Sequence, residues 1–79
     1  GNANALRRRQ IESGNNYQTF TGNGYLGAYQ FASSTWAAGV AAVGGSVSDF
    51  SSAHQDQVAN WYANSRYGGW QNVPTNGGW

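Results

Sequence analysis

The chain has 79 residues with four Arg, no Lys, three acids and one His, a formal net charge of +1. So small a charge gives no basic field for bulk nucleic-acid binding, and no apolar run approaches the ~18 residues of a membrane span. Without Cys there is no disulfide framework and no Cys nucleophile, and one His with three scattered carboxylates is a poor ligand set, so neither a metal nor another cofactor is expected.

The length predicts a single domain, 1–79. The chain begins at Gly1 without a charged-then-apolar leader, so it reads as a mature fragment or an excised domain. Charged residues make up 9% of it and aromatics 15%. A chain this short has a modest core, so the aromatics must supply much of the burial. Asn, Gln, Ser, Thr and Tyr in place of charge suit a surface for sugars and other neutral polar ligands.

Residues 3–12 carry good helix formers and predict a first helix, capped by Asn2 or Asn4 and stopped by Gly14. Its apolar stripe is thin, Ala3, Leu6 and Ile11, and Arg7 to Arg9 read as a solvated face. Residues 15–29 mix turn signals, Asn15-Asn16 and Gly22-Asn23-Gly24, with β-favouring stretches at Tyr17–Thr21 and Tyr25-Leu26. They predict a short irregular hairpin or β-like loop.

A second helix is expected over 30–43, capped by Ser33 or Ser34, weakened in its middle by Gly39 and ended by Gly44-Gly45. Its buried stripe is 36, 40 and 43. After a linker at 46–50, Ser51 or Ser52 caps a third helix through about Ser65, with Val58, Trp61, Tyr62 and Ser65 on one face. Residues 67–79 read as an irregular tail that its two Trp residues pin to the body. Gly-Gly-Trp occurs in it twice, at 68–70 and 77–79, too short a repeat to interpret. The fold class is α+β, mainly α: about three helices with a short β-hairpin or β-like loop.

Few residues can carry chemistry. Glu12, the one Glu, sits at a helix C-terminus, where the helix dipole disfavours the ionised form. A carboxyl that keeps its proton can act as a general acid. Asp49, in a linker, and Asp56, in an early helical turn, are explained by local structure. His54, with no Ser or Cys motif beside it, reads as a surface or capping histidine. The glycines of 21–27 do not make a phosphate loop, since no Lys follows.

The string Glu12-Ser13-Gly14-Asn15-Asn16-Tyr17, then Thr21-Gly22-Asn23-Gly24-Tyr25, Gly27-Ala28-Tyr29-Gln30-Phe31 and Ser34-Thr35-Trp36, resembles the catalytic domain of the resuscitation-promoting factors. More broadly it resembles the transglycosylase-like branch of the lysozyme superfamily. The match is tight over about 25 residues and extends weakly to Gly68-Gly69-Trp70. Actinobacterial members of that group usually carry a Cys pair, which this chain lacks.

The resemblance implies a lysozyme-like domain that cleaves the β-1,4 MurNAc-GlcNAc bond of peptidoglycan with Glu12 as catalytic acid. The product would be 1,6-anhydroMurNAc if the domain is a lytic transglycosylase. A hydrolytic muramidase and a non-catalytic peptidoglycan-binding module are the alternatives. Thr35 and Gln30 would line the cleft, with Tyr25 and Tyr29 facing sugar. Trp70 is open between site and core, and Trp36 is expected in the core. Asn16 and Asn23 are divided between turns and N-acetyl recognition. The implied partners are peptidoglycan glycan strands, met by a monomer that is secreted or cell-wall associated, alone or fused to other cell-wall-binding domains.

Overall fold

The structure, a computed structural model, describes residues 2–20 and 24–79. The element order is α1 (Asn2–Ser13), β1 (Tyr25–Leu26), β2 (Phe31–Ala32), α2 (Ser33–Val43), α3 (Ser52–Tyr67) and a single 3-10 turn at Trp70–Asn72. The class is α+β, mainly α, as the composition and periodicity predict. The expected turn at Gly22-Asn23, and with it any role for Thr21 or Asn23, lies outside the described residues.

Helix α1 begins at Asn2, so Asn4 is inside the helix and is not its cap; its amide instead donates to the Trp70 carbonyl at 3.4 Å. The helix stops where expected. Gly14 and Asn15 take left-handed φ values of 69° and 63°, and their N–H groups turn back to the Gln10 and Arg9 oxygens. The arginine face is not simply solvated. Arg8 is 1% exposed, while Leu6 and Ile11, read as core, are 37% and 42% exposed. Burial of Arg8 is possible because carbonyls of the C-terminal segment and Glu12 meet its guanidinium, which desolvation would otherwise make costly.

The hairpin is very short. Tyr25 pairs with Ala32 and Leu26 with Phe31, antiparallel, and Phe20 adds a bridge to Leu26. The turn between the strands is fixed from α3. The Gln55 side chain is buried; its Oε1 accepts from the Ala28 N–H at 2.9 Å and its Nε2 donates to the Tyr17 and Phe50 carbonyls. Gly27, at φ 71°, must be glycine, since a Cβ there would stand 2.2 Å from Gln55 Oε1.

Helix α2 starts at Ser33, later than the expected residue 30, because Phe31 pairs with Leu26 and holds 31–32 extended. Neither Ser33 nor Ser34 caps it: the cap position is Ala32, which makes no side-chain bond. Trp36, Gly39 and Val40 are buried, but Val43 is 37% exposed. Gly39 has a packing role. A Cβ there would lie 2.5 Å from Val58 Cγ1, so the glycine lets α2 approach α3 closely.

Ser51 caps α3, its hydroxyl accepting from the His54 N–H, and the helix runs two residues past Ser65 before Gly68 ends it in the left-handed conformation. Val58, Ala59 and Ala63 are buried, Trp61 and Tyr62 are half-buried, and Ser65 is exposed.

His54 is not on the surface; it is 4% exposed. Its Nδ1 lies 2.7 Å from the Asp49 oxygen and its Nε2 2.8 Å from the Gly44 oxygen. Two carbonyl acceptors call for two N–H donors, which only the imidazolium offers. These two bonds, with the Asp49 carboxylate at 3.7 Å, hold the histidine above its ordinary pKa despite burial.

The core is an aromatic chain. Trp36 stacks on Phe50 at 4.9 Å and donates its indole N–H to the Val47 carbonyl at 2.9 Å. Phe31, Tyr29, Trp70 and Trp79 continue it at ring separations of 5.3 to 6.3 Å. Each buried ring of this size contributes roughly 1.5–3 kcal/mol. Among the described residues no helix is long and apolar enough to cross a membrane.

Candidate active site

One end of α1, the hairpin, the start of α2 and the middle of α3 meet around a cleft of about 420 Å³. The C-terminal segment closes one side. Glu12 lines this cleft, with Tyr25, Gln30 and Thr35. Phe31, Ala32, Tyr62, Gly78 and Trp79 complete the wall. Four of the six candidate site residues therefore come together.

The other two lie elsewhere. Tyr29 is 1% exposed, and the part it shows faces a second cavity, shared with Arg9, Asp56 and Asn60. Trp70 is 8% exposed, hydrogen-bonded by its indole to Asn60 Oδ1 at 2.8 Å. Its ring stacks behind Trp79, which is the tryptophan that reaches the cleft. Trp36 is buried in the core, 3% exposed. Asn16 does not line the cleft; its Oδ1 accepts from the Gln18 N–H in a turn.

The Glu-Ser-Gly string has a local logic. Ser13 Oγ donates to the Ala28 carbonyl at 2.7 Å and accepts from the Asn16 N–H at 3.0 Å. This fastens the 27–30 turn to the end of α1, so Gln30 and Glu12 face one cavity. Gln30 itself has φ 53°, a left-handed value unfavourable for a side chain with a Cβ. Its amide nitrogen donates to the Gly27 and Thr19 carbonyls, which holds the strained residue at the cleft.

The C-terminal end of α1 is braced from below by a charged network. Tyr17 and Tyr29 hydroxyls donate to Asp56 Oδ1 at 2.7 and 2.6 Å, and Arg9 donates to the Tyr29 hydroxyl at 2.9 Å. Burial and the Asp56 bond push the Tyr29 hydroxyl far above the usual tyrosine range, and Tyr17 shifts the same way for the same reasons. Asp56 is thus a tertiary anchor rather than a local helix-dipole residue. Asp49 accepts from the Ser51 N–H at 3.0 Å in its loop, and this bond lowers its pKa. Neither aspartate lines the cleft.

Glu12 is 17% exposed and its Oε2 accepts from Arg8 Nη1 at 2.8 Å. Arg8, its partner one helical turn back, was hidden in the sequence by the run of three arginines. Tyr62 and Trp79 were also missed as wall residues. The second Gly-Gly-Trp was the available signal for Trp79: Gly77, at φ 72°, turns the backbone where its carbonyl meets Arg8, and Trp79 lines the cleft two residues on.

Among the described residues Glu12 is the only carboxylate lining the cleft, and no group of three His, Asp or Glu side chains is placed to hold a metal ion. Neither the Tyr25 nor the Thr35 hydroxyl has a hydrogen-bond partner among the described residues, so both are available to a polar ligand. A cleft with one half-buried carboxyl, neutral hydroxyls and aromatic walls suits a sugar, whose ring faces are apolar and whose rim is polar.

Searches of curated proteins and of solved structures returned no match. The model of one protein family, the transglycosylase-like domain, matches residues 3–76. That family points to cleavage of the glycosidic bonds of peptidoglycan. With all but five residues spanned, and with the cleft built from the matched segment and the tail behind it, the chain belongs to the transglycosylase-like domain family.

Proposed function

We propose that this domain cleaves the β-1,4 MurNAc-GlcNAc bond of peptidoglycan as a lytic transglycosylase, with Glu12 as its single catalytic carboxyl. The observation that carries the reading is that Glu12 lines the cleft with no second carboxylate among the described residues there. A water-activating inverting glycosidase places a second carboxylate ~6.5–9.5 Å away, and a retaining one places a nucleophile at ~5–5.5 Å.

A single carboxyl completes an intramolecular cycle. Glu12 gives its proton to the oxygen bridging MurNAc C1 and GlcNAc C4, and the C1–O bond breaks. The carbonyl oxygen of the sugar's own N-acetyl group stabilises the oxocarbenium-like C1, as in substrate-assisted glycosidases. Glu12, now a carboxylate, takes the proton of the MurNAc C6 hydroxyl, and that oxygen bonds to C1. The product is 1,6-anhydroMurNAc. The tethered hydroxyl is held at high effective concentration, which favours it over water.

The walls supply the binding. Tyr25 and Thr35 hydroxyls meet the polar rim of the sugars, Gln30 shapes the wall beside them, and Trp79 and Tyr62 offer ring faces. The partner is the glycan strand of the cell wall, and the working location is outside the membrane, secreted or wall-associated. The domain acts as a monomer, alone or joined to modules that hold it to the wall. Incubation with purified peptidoglycan tests this: anhydro muropeptides support it, reducing-end MurNAc makes the domain a muramidase, and binding without cleavage makes it a glycan-binding module.

A further inference from the structure

Arg8 is 1% exposed, and it is the buried cation nearest the proposed acid. Its Nη1 donates to Glu12 Oε2 and also to the Gly77 carbonyl, and its Nη2 donates to the Pro74 carbonyl. One guanidinium thus holds two carbonyls of the C-terminal strap, 74–79, and the proposed acid together. The strap is fastened at its other end by the Tyr62 and Tyr67 hydroxyls, which donate to the Trp79 main-chain oxygen at 2.6 and 2.9 Å. The Trp79 indole donates to the Tyr29 carbonyl at 3.2 Å, and Gly78 and Trp79 form part of the cleft wall.

We propose that Arg8 is a positioning residue which makes the seating of the 74–79 strap and the orientation of Glu12 one event. The inference rests on the reading of Glu12 as the acid. With Oε2 occupied by Arg8, Oε1 is the oxygen that carries the transferable proton, since among the described residues nothing bonds to it. When that proton leaves, the guanidinium is already in place beside the new carboxylate, a preorganised counter-charge that needs no rearrangement. The fork reaches Glu12 in this geometry only while the two strap carbonyls hold it. A strap that lifts takes away a cleft wall and releases the orientation of the acid together.

Two variants loosen the strap from opposite ends. Arg8→Lys keeps a positive charge beside Glu12 but loses the planar fork. Tyr67→Phe removes one hydroxyl at a residue that does not line the cleft. For each folded variant, exchange of the Trp79 indole N–H is followed by NMR, and kcat and KM are measured on purified peptidoglycan strands. The expected result is joint movement: indole exchange accelerates by about tenfold or more. In the same variant kcat falls by about 10- to 100-fold while KM rises, as for a slightly misplaced catalytic group.

A merely structural Arg8 would lower stability without linking these readouts. Faster exchange with unchanged kcat, lower kcat with unchanged exchange, or no movement in either variant overturns the proposal. Should Arg8→Lys not fold, Tyr67→Phe decides alone by the same criterion. The underlying reading fails separately: it falls if Glu12→Gln cleaves like the parent protein. If Glu12→Gln is inactive and the strap variants move independently, only the coupling falls.

Discussion

In the proposed cycle Glu12 carries the chemistry, and its neighbours decide what a substitution there does. Glu12→Gln is nearly isosteric and still accepts from Arg8, so the fold is kept. The proton donor is lost, which lowers cleavage by at least ~10²-fold. Turbidity clearing of cell-wall suspensions, with circular dichroism as the folding control, measures both. The two aspartates separate from it cleanly. Asp49→Asn and Asp56→Asn retain kcat, because neither lines the cleft. Asp56→Asn lowers stability by about 1–2 kcal/mol, since two tyrosine hydroxyls lose a charged acceptor. Loss of kcat with an unchanged denaturation midpoint in either variant would assign that aspartate to catalysis.

At the scale of elements, close approach outweighs propensity. Ala at position 39 would favour an isolated helix by about 0.8–1 kcal/mol. Its Cβ would stand 2.5 Å from Val58 Cγ1, and overpacking of this kind costs about 1–3 kcal/mol. Gly39→Ala is therefore expected to lower the urea midpoint, and a raised midpoint would show that α2 and α3 can separate at no cost. The 44–50 loop carries a pH dependence. The His54 imidazolium bonds two carbonyls of that loop, and its folded pKa is raised. Its contribution is present in full below the ordinary histidine pKa, ~6.5, and is lost as pH rises through the higher folded value. The melting temperature should decline as pH rises above about 6.5 and through the raised folded pKa, and His54→Gln should remove that decline; an identical pH slope in both proteins would contradict the lock. The three helices and their order were legible in the sequence because propensity and glycine stops are local, whereas the second hairpin strand, 31–32, fell inside the expected second helix. His54 was not, since its two acceptors come from a loop whose closure is a tertiary event.

Across the whole molecule, one aromatic chain joins the core to the cleft, and the C-terminal strap is the link. Phe31 and Trp79 belong to both, and Trp70 supports Trp79 from behind. The motif from Glu12 to Trp36 made Glu12 and three other cleft-lining residues readable, because the Ser13 and Gln55 bonds fold that segment onto itself. Tyr29 was misplaced because spacing along a turn does not say which ring turns inward, and here Asp56 draws its hydroxyl to the opposite face. Arg8 and Trp79, 71 positions apart by their numbering, meet only in three dimensions, their guanidinium and ring 5.6 Å apart. No pattern along the chain announces such a pair. The most direct test of the central claim, a single-carboxyl cycle at Glu12, is the mass of the muropeptides released from purified peptidoglycan. Fragments ending in 1,6-anhydroMurNAc are expected, each one water lighter than its hydrolytic counterpart. Fragments ending mainly in reducing MurNAc would contradict that claim.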